Sequence, residues 1–78
     1  MHKIYATRTD DWHNKQECFE VQGGDDTSMK CLTLARTGYL IEKIVLPCGA
    51  VVSGTEIKHQ LLIGVNSIRA VFARAAAR

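Results

Sequence analysis

Three cysteines and three histidines are the side chains with the richest chemistry in this chain. Cys18, Cys31, Cys48, His2, His13 and His59 are all donor types that zinc accepts. Their spacing does not suit a metal. There is no C-x-x-C, and the nearest pair, His13 and Cys18, spans a presumed hairpin. We expect no metal and no cofactor. The cysteines then read as small, mostly buried hydrophobes. Their odd number and irregular intervals do not make a disulfide framework, so free thiols in a reducing, cytoplasmic setting are expected.

Acid–base or nucleophilic catalysis needs a base within hydrogen-bond reach of its partner, usually in a cleft. Asp10-Asp11 and Asp25-Asp26 both fall in turns, where aspartate serves the backbone. No G-x-S-x-G and no H-E-x-x-H is present, and Gly23-Gly24 lacks the G-K-S/T of a phosphate loop. The one enzyme type left open is a small ribonuclease using His13 or His59 with arginines. The expectation is a protein without catalytic residues.

The elements must fit into 78 residues, which make one domain over 1–78. Such a chain buries roughly 60–65% of the surface its unfolded form exposes. Hydrophobic residues at 46% and charged residues at 23% suit a folded globular chain rather than a disordered one. A net charge of +2 and a pI near 8.6 are too weak for a dedicated nucleic-acid binder. Ile4-Tyr5-Ala6 is too short for the apolar run of a signal peptide. The uncharged run 44–55 holds Pro47 and two glycines and falls short of a membrane span.

Residues 3–9 favour a strand, and 17–22 alternate clearly, with Phe19 and Val21 on one side and Cys18, Glu20 and Gln22 on the other. A hairpin with a loop of about six residues follows. Gly23 to Asp26 break the pattern. Residues 27–37 read as a strand or, preferably, as a helix capped by Asp26, Thr27 or Ser28 and stopped by Gly38. Residues 39–46 form a strand that is apolar on both faces and so expected to be covered on both, or nearly so. It would run parallel to 17–22, through a right-handed crossover.

Ser53 to Glu56 fit a capping box, with Val52 and Ile57 at the staple positions. Beyond them the apolar positions 57, 61, 65, 68, 72 and 75 fall in one helical stripe. A helix over 54–77 is expected, about 36 Å long. Gly64 lies in the stripe, which suggests close approach to another element. A helix-turn-helix reading of 61–71 fits Gly64 and Val65 but fails at Gln60, and the continuous helix accounts for more positions. The fold class is thus α+β, a β-β-α-β-α domain with a long amphipathic C-terminal helix on a short sheet.

Two features suggest binding. Leu62 and Ile63 fall off the apolar stripe, so either a partner covers them or they fold against the 47–53 loop or the first helix. Trp12 sits near the hairpin tip, as an interface anchor or folded back on the sheet edge. Lys58, Arg69, Arg74 and Arg78 line the polar side of the helix, with His59 and Asn66 among them. They suit the rim of a protein interface or a phosphate backbone.

The order K-I-Y-A-T, then C-F-E-V-Q, then L-A-R-T-G-Y-L-I-E-K-I, resembles the β-β-α-β layout of very small phage proteins, several anti-CRISPR inhibitors among them. The resemblance covers 3–46 as a pattern of elements and shares no motif. It implies a chain that occludes a surface of a larger protein or ribonucleoprotein complex. We therefore expect a protein-binding inhibitor or regulator that contacts its partner through Trp12, Leu62, Ile63, Lys58, Arg69 and Arg74. A nucleic-acid binder using the basic helix face is the alternative, and homodimerisation through the helix is a third reading.

Overall fold

The computed structural model of the chain describes residues 1–10 and 15–77. Strands β1 (His2–Arg8) and β2 (Gln16–Val21) pair antiparallel, with Ile4 opposite Phe19 and Tyr5 opposite Cys18. The expected hairpin is present. Phe19 and Val21 pack on the core while Cys18 and Glu20 are exposed, as the alternation requires.

Helix α1 (Gly24–Arg36) resolves the segment that read two ways. It starts earlier than expected. Gly23 is the N-cap at φ 82°, and Asp25 and Asp26 fill the first turn, where carboxylates suit the helix dipole. Thr27 and Ser28, expected as caps, are buried inside the helix. Their hydroxyls donate to the carbonyls of Gly23 and Gly24 at 2.7 and 2.8 Å, so both are satisfied without water. Just past the helix Gly38 adopts φ 89°, in keeping with its reading as a stop.

Strand β3 (Tyr39–Val45) pairs antiparallel with β1, and β4 (Val51–Ser53) pairs antiparallel with Lys43–Val45. The order is β2-β1-β3-β4. Strands β2 and β3 run in the same direction, as expected, but β1 lies between them. Strand β4 adds to the expected order; three residues carry no periodic signal.

The covering of β3 on both faces is a correction. Ile41 and Ile44 are buried, whereas Leu40, Glu42 and Lys43 are exposed. Opposite β1 the register slips between Tyr5 and Ala6, and Glu42 is the extra residue. This bulge turns Ile41 and Ile44 to the same face. The strand reads as apolar throughout because its alternation is broken, not because a second layer covers it.

The single helix over 54–77 is also corrected. Helices α2 (Gly54–Leu61) and α3 (Val65–Ala76) take its place. Ser53 caps α2 by accepting from the Glu56 amide at 3.3 Å. The amides of Ile63 and Gly64 then donate to the Gln60 carbonyl at 3.0 Å, and the helix ends. Gly64 follows at φ 141° and ψ −176°, a region that essentially only glycine occupies. Gly64 therefore serves the backbone turn, with nothing within 4 Å of where a Cβ would stand. The close approach belongs to Gly54, where a Cβ would collide with the Ile41 carbonyl oxygen.

The apolar stripe survives the break. Ile57, Ile68, Val71, Phe72 and Ala75 join Ile4, Ala6 and Ile44 of the sheet and Cys31 and Leu34 of α1 in one core. Among the described residues no helix is long and apolar enough to cross a membrane.

Candidate partner-binding surface

The break between α2 and α3 decides where the expected contact residues stand. Leu62 is 93% exposed and Ile63 71%, the two highest values among the large apolar residues described. Burial against the 47–53 loop or against α1 does not occur. Both sit in a turn closed by the Gln60 carbonyl on one side and by Gly64 on the other. Lys58 lies one helical turn before Leu62, so the two share a face at the end of α2. Trp12 and Arg78 lie outside the described residues.

The basic residues do not form one stripe, because two helices carry them. Lys58 and His59 belong to α2; Asn66, Arg69 and Arg74 belong to α3. Arg69 is engaged within the molecule. Its Nε lies 2.7 Å from Asp25 Oδ1, and its Nη1 donates to Asn66 Oδ1 at 3.4 Å. Asp25 thus brings an acidic first turn beside α3, which disfavours a phosphate there. Arg74 is exposed and borders a shallow hollow with Glu56, His59 and Val71.

His2 and Cys48 line one hollow beside Phe72, and His13 lies outside the described residues. Cys31 is fully buried, and desolvation pushes its pKa up to about 12. Cys18 and Cys48 are exposed, which corrects their reading as buried hydrophobes, and all three are free. The His2 ring lies 5.6 Å from that of Phe72, and burial holds its pKa below the ordinary value. Among the described residues no group of three His, Cys, Asp or Glu could hold a metal.

At the far end of the sheet Lys30 Nζ stands 5.1 Å from the Phe19 ring centroid, and Phe19 meets Tyr39 edge-on at 5.6 Å. The Arg8 guanidinium lies 5.9 Å from the Tyr39 centroid. A hydrogen bond to Glu17 raises the Tyr39 hydroxyl pKa. This ladder of cations and rings closes the layer between α1 and β2.

A further opening lies between β3 and α2. It is a cleft of about 550 Å³ lined by Tyr39, Leu40, Ile41, Gly54, Lys58 and Leu61 among others. Leu40, on the sheet face away from the helices, is 53% exposed. Sequence reasoning found Lys58 and missed the rest of this wall. The one available signal was Glu42 interrupting an apolar strand, the mark of the bulge.

Compared with protein-family models, curated proteins and solved structures, the chain matches none.

Proposed function

We propose that this domain is a protein-binding module that acts by covering a surface of a larger complex, as an inhibitor or regulator. One observation carries the reading: the adjacent pair Leu62 and Ile63 is exposed in a turn of fixed geometry. Two large apolar side chains held in water contribute nothing to the core, and exposed apolar groups of this kind mark interaction sites. Gly64 and the bonds to Gln60 pre-order the turn, so little entropy is lost when a partner covers it. Lys58 on the same face supplies a charge at the edge of the apolar pair.

The nucleic-acid alternative has less support. Arg69 is paired with Asp25, and the remaining cations are split between two helices.

The test places a photo-crosslinking amino acid at position 62 and, separately, at position 20 on β2. Protein adducts from position 62 alone, insensitive to nuclease, are expected. Adducts that vanish with nuclease would move the reading to nucleic acid. No adduct at 62, or equal adducts at both positions, would overturn it.

A further inference from the structure

The order β2-β1-β3-β4 leaves the sheet two margins, and they differ. Strand β4 has three residues and runs straight into α2. Strand β2 has six, Gln16–Val21, in unbroken register with β1. Among the described residues no backbone hydrogen bond reaches β2 from outside the sheet. Helix α1 packs mainly over β3 and against α3, inward of this edge. Strand β2 holds no lysine, proline or bulge, the usual guards of an edge. Such an edge is a template for a further strand.

The charges beside the edge say which strand fits. Glu17 accepts from the Tyr39 hydroxyl, a neutral donor, and the nearby Arg8 is paired with Asp10. Lys30 Nζ stands 5.1 Å from the Phe19 ring centroid, and no carboxylate among the described residues lies within ion-pair distance of it. Two identical antiparallel strands are related by a two-fold axis perpendicular to the sheet, and residues directly opposite share a face. The axis therefore passes beside one residue, which meets its own copy. Glu17 or Glu20 there would oppose like carboxylates. Phe19 there would bring two Lys30 ammonium groups together over adjoining rings. Gln16 or Val21 there would leave most of the strand unpaired. Cys18 remains, and it sets a small neutral thiol against its copy. Glu17 then lies opposite Phe19 of the second copy, where that copy's Lys30 supplies the opposite charge, and this ion pair forms twice. Glu20, already opposite Lys3 of its own chain, faces a neutral Gln16.

We propose that β2 pairs antiparallel with β2 of a second copy of the chain, Cys18 lying at the two-fold axis of a weak symmetric dimer. The dimer goes beyond partner capture: β2 shares no residue with the turn at Leu62 and Ile63, and two copies present that turn twice. One strand per copy buries less than the roughly 1,200 Å² of stable complexes, so dissociation at about 0.1–1 mM is expected. At the low-micromolar concentrations suited to crosslinking, position 20 stays free.

The test follows the amide resonances of the isotope-labelled full chain from about 0.02 to about 2 mM, spanning the expected dissociation range. Shifts confined to Gln16–Val21 and Lys30 are expected, with sedimentation reporting the dimer mass. Oxidation in air with copper phenanthroline then uses Cys48, the other exposed thiol, as an internal control. Directly opposite Cα atoms lie about 4.5–5.5 Å apart, within disulfide reach. Peptide mass mapping is expected to show the Cys18–Cys18 product about tenfold above those involving Cys48. Cys18→Lys opposes like charges at the axis and is expected to weaken association about tenfold. Lys30→Glu is expected to weaken it about fivefold, and circular dichroism should stay native for both. A monomer throughout the series, or the three disulfides in comparable amounts, would overturn the dimer. Tighter association of Cys18→Lys would set position 18 against Glu20, move the axis to Phe19 and overturn the proposed register. Loss of the dimer would leave adducts from position 62 untouched, so the two readings fail separately.

Discussion

Arg69 Nε lies 2.7 Å from Asp25 Oδ1, and this ion pair joins α3 to the first turn of α1. The side chains are 52% and 71% exposed, so water screens the attraction. Such a pair contributes about 0–1 kcal/mol. Arg69→Ala is expected to lower stability by less than about 1 kcal/mol. Asp25→Arg combined with Arg69→Asp is expected to restore most of the loss. Urea denaturation at low and high salt measures both, and the difference between wild type and Arg69→Ala should shrink as salt rises.

Two glycines separate two kinds of constraint. At Gly54 a Cβ would meet backbone oxygens of β3, Ile41 foremost and Glu42 at 2.9 Å. Backbone atoms cannot swing aside, so Gly54→Ala must move α2 or unpair β4. We expect it to remove the cooperative transition or to cost more than about 3 kcal/mol, in the range of the most damaging substitutions. Gly64 has open space around it and only a special backbone conformation. Gly64→Ala is expected to cost about 1–3 kcal/mol and to leave a folded protein. Chemical denaturation monitored by circular dichroism ranks the two.

Leu62 and Ile63 should be nearly silent in folding. Leu62→Asp and Ile63→Asp are each expected to change stability by no more than about 0.5 kcal/mol, because neither side chain leaves water on folding. Phe72→Ala, in the core, is expected to cost about 3–5 kcal/mol. Thermal denaturation distinguishes them. A large loss from Leu62→Asp would make the residue structural and remove the surface argued above.

The cysteines give a pH signature. Cys18 and Cys48 should react with an alkylating reagent in the native state, while Cys31 should be labelled only on unfolding. Mass spectrometry of the native protein should show two adducts. Cys31 has its pKa raised from 9.0 to about 12, so the folded state keeps its proton where the unfolded state releases it. Its contribution to stability is intact below about pH 9 and is lost as pH rises towards 12. Stability should fall more steeply between pH 9 and 10.5 in wild type than in Cys31→Ala.

Much of the fold was legible because it rests on local chemistry. Phe19 and Val21 alternate with Cys18, Glu20 and Gln22, so β2 is legible. Gly38 directly after an apolar helical pattern marks its end, and Ser53 with Glu56 marks a helix start in a few residues. The misses share a cause: each depends on contacts distant in sequence. The bulge at Glu42 exists only opposite Tyr5 and Ala6. Strand β4 is a strand only because β3 lies beside it. Gly64 was read by its place in the helical stripe, and the stripe runs straight through the break because α2 and α3 pack on the same core. The cleft was illegible for the same reason. Leu40 and Lys58 are eighteen positions apart and meet only once β3 and α2 are in place.

The placing of β1 between β2 and β3 sets an order of assembly. Its pairing with β2 closes through a short loop and needs no other part of the chain. Its pairing with β3 joins Lys3 to Val45 and must wait for α1 to form or condense. During synthesis the hairpin emerges first and exposes a bare β1 edge until β3 arrives. We expect the docking of β3 to be the slow step in folding. Destabilising changes in β3 should slow refolding, whereas changes in the turn at 62–64 should mainly speed unfolding.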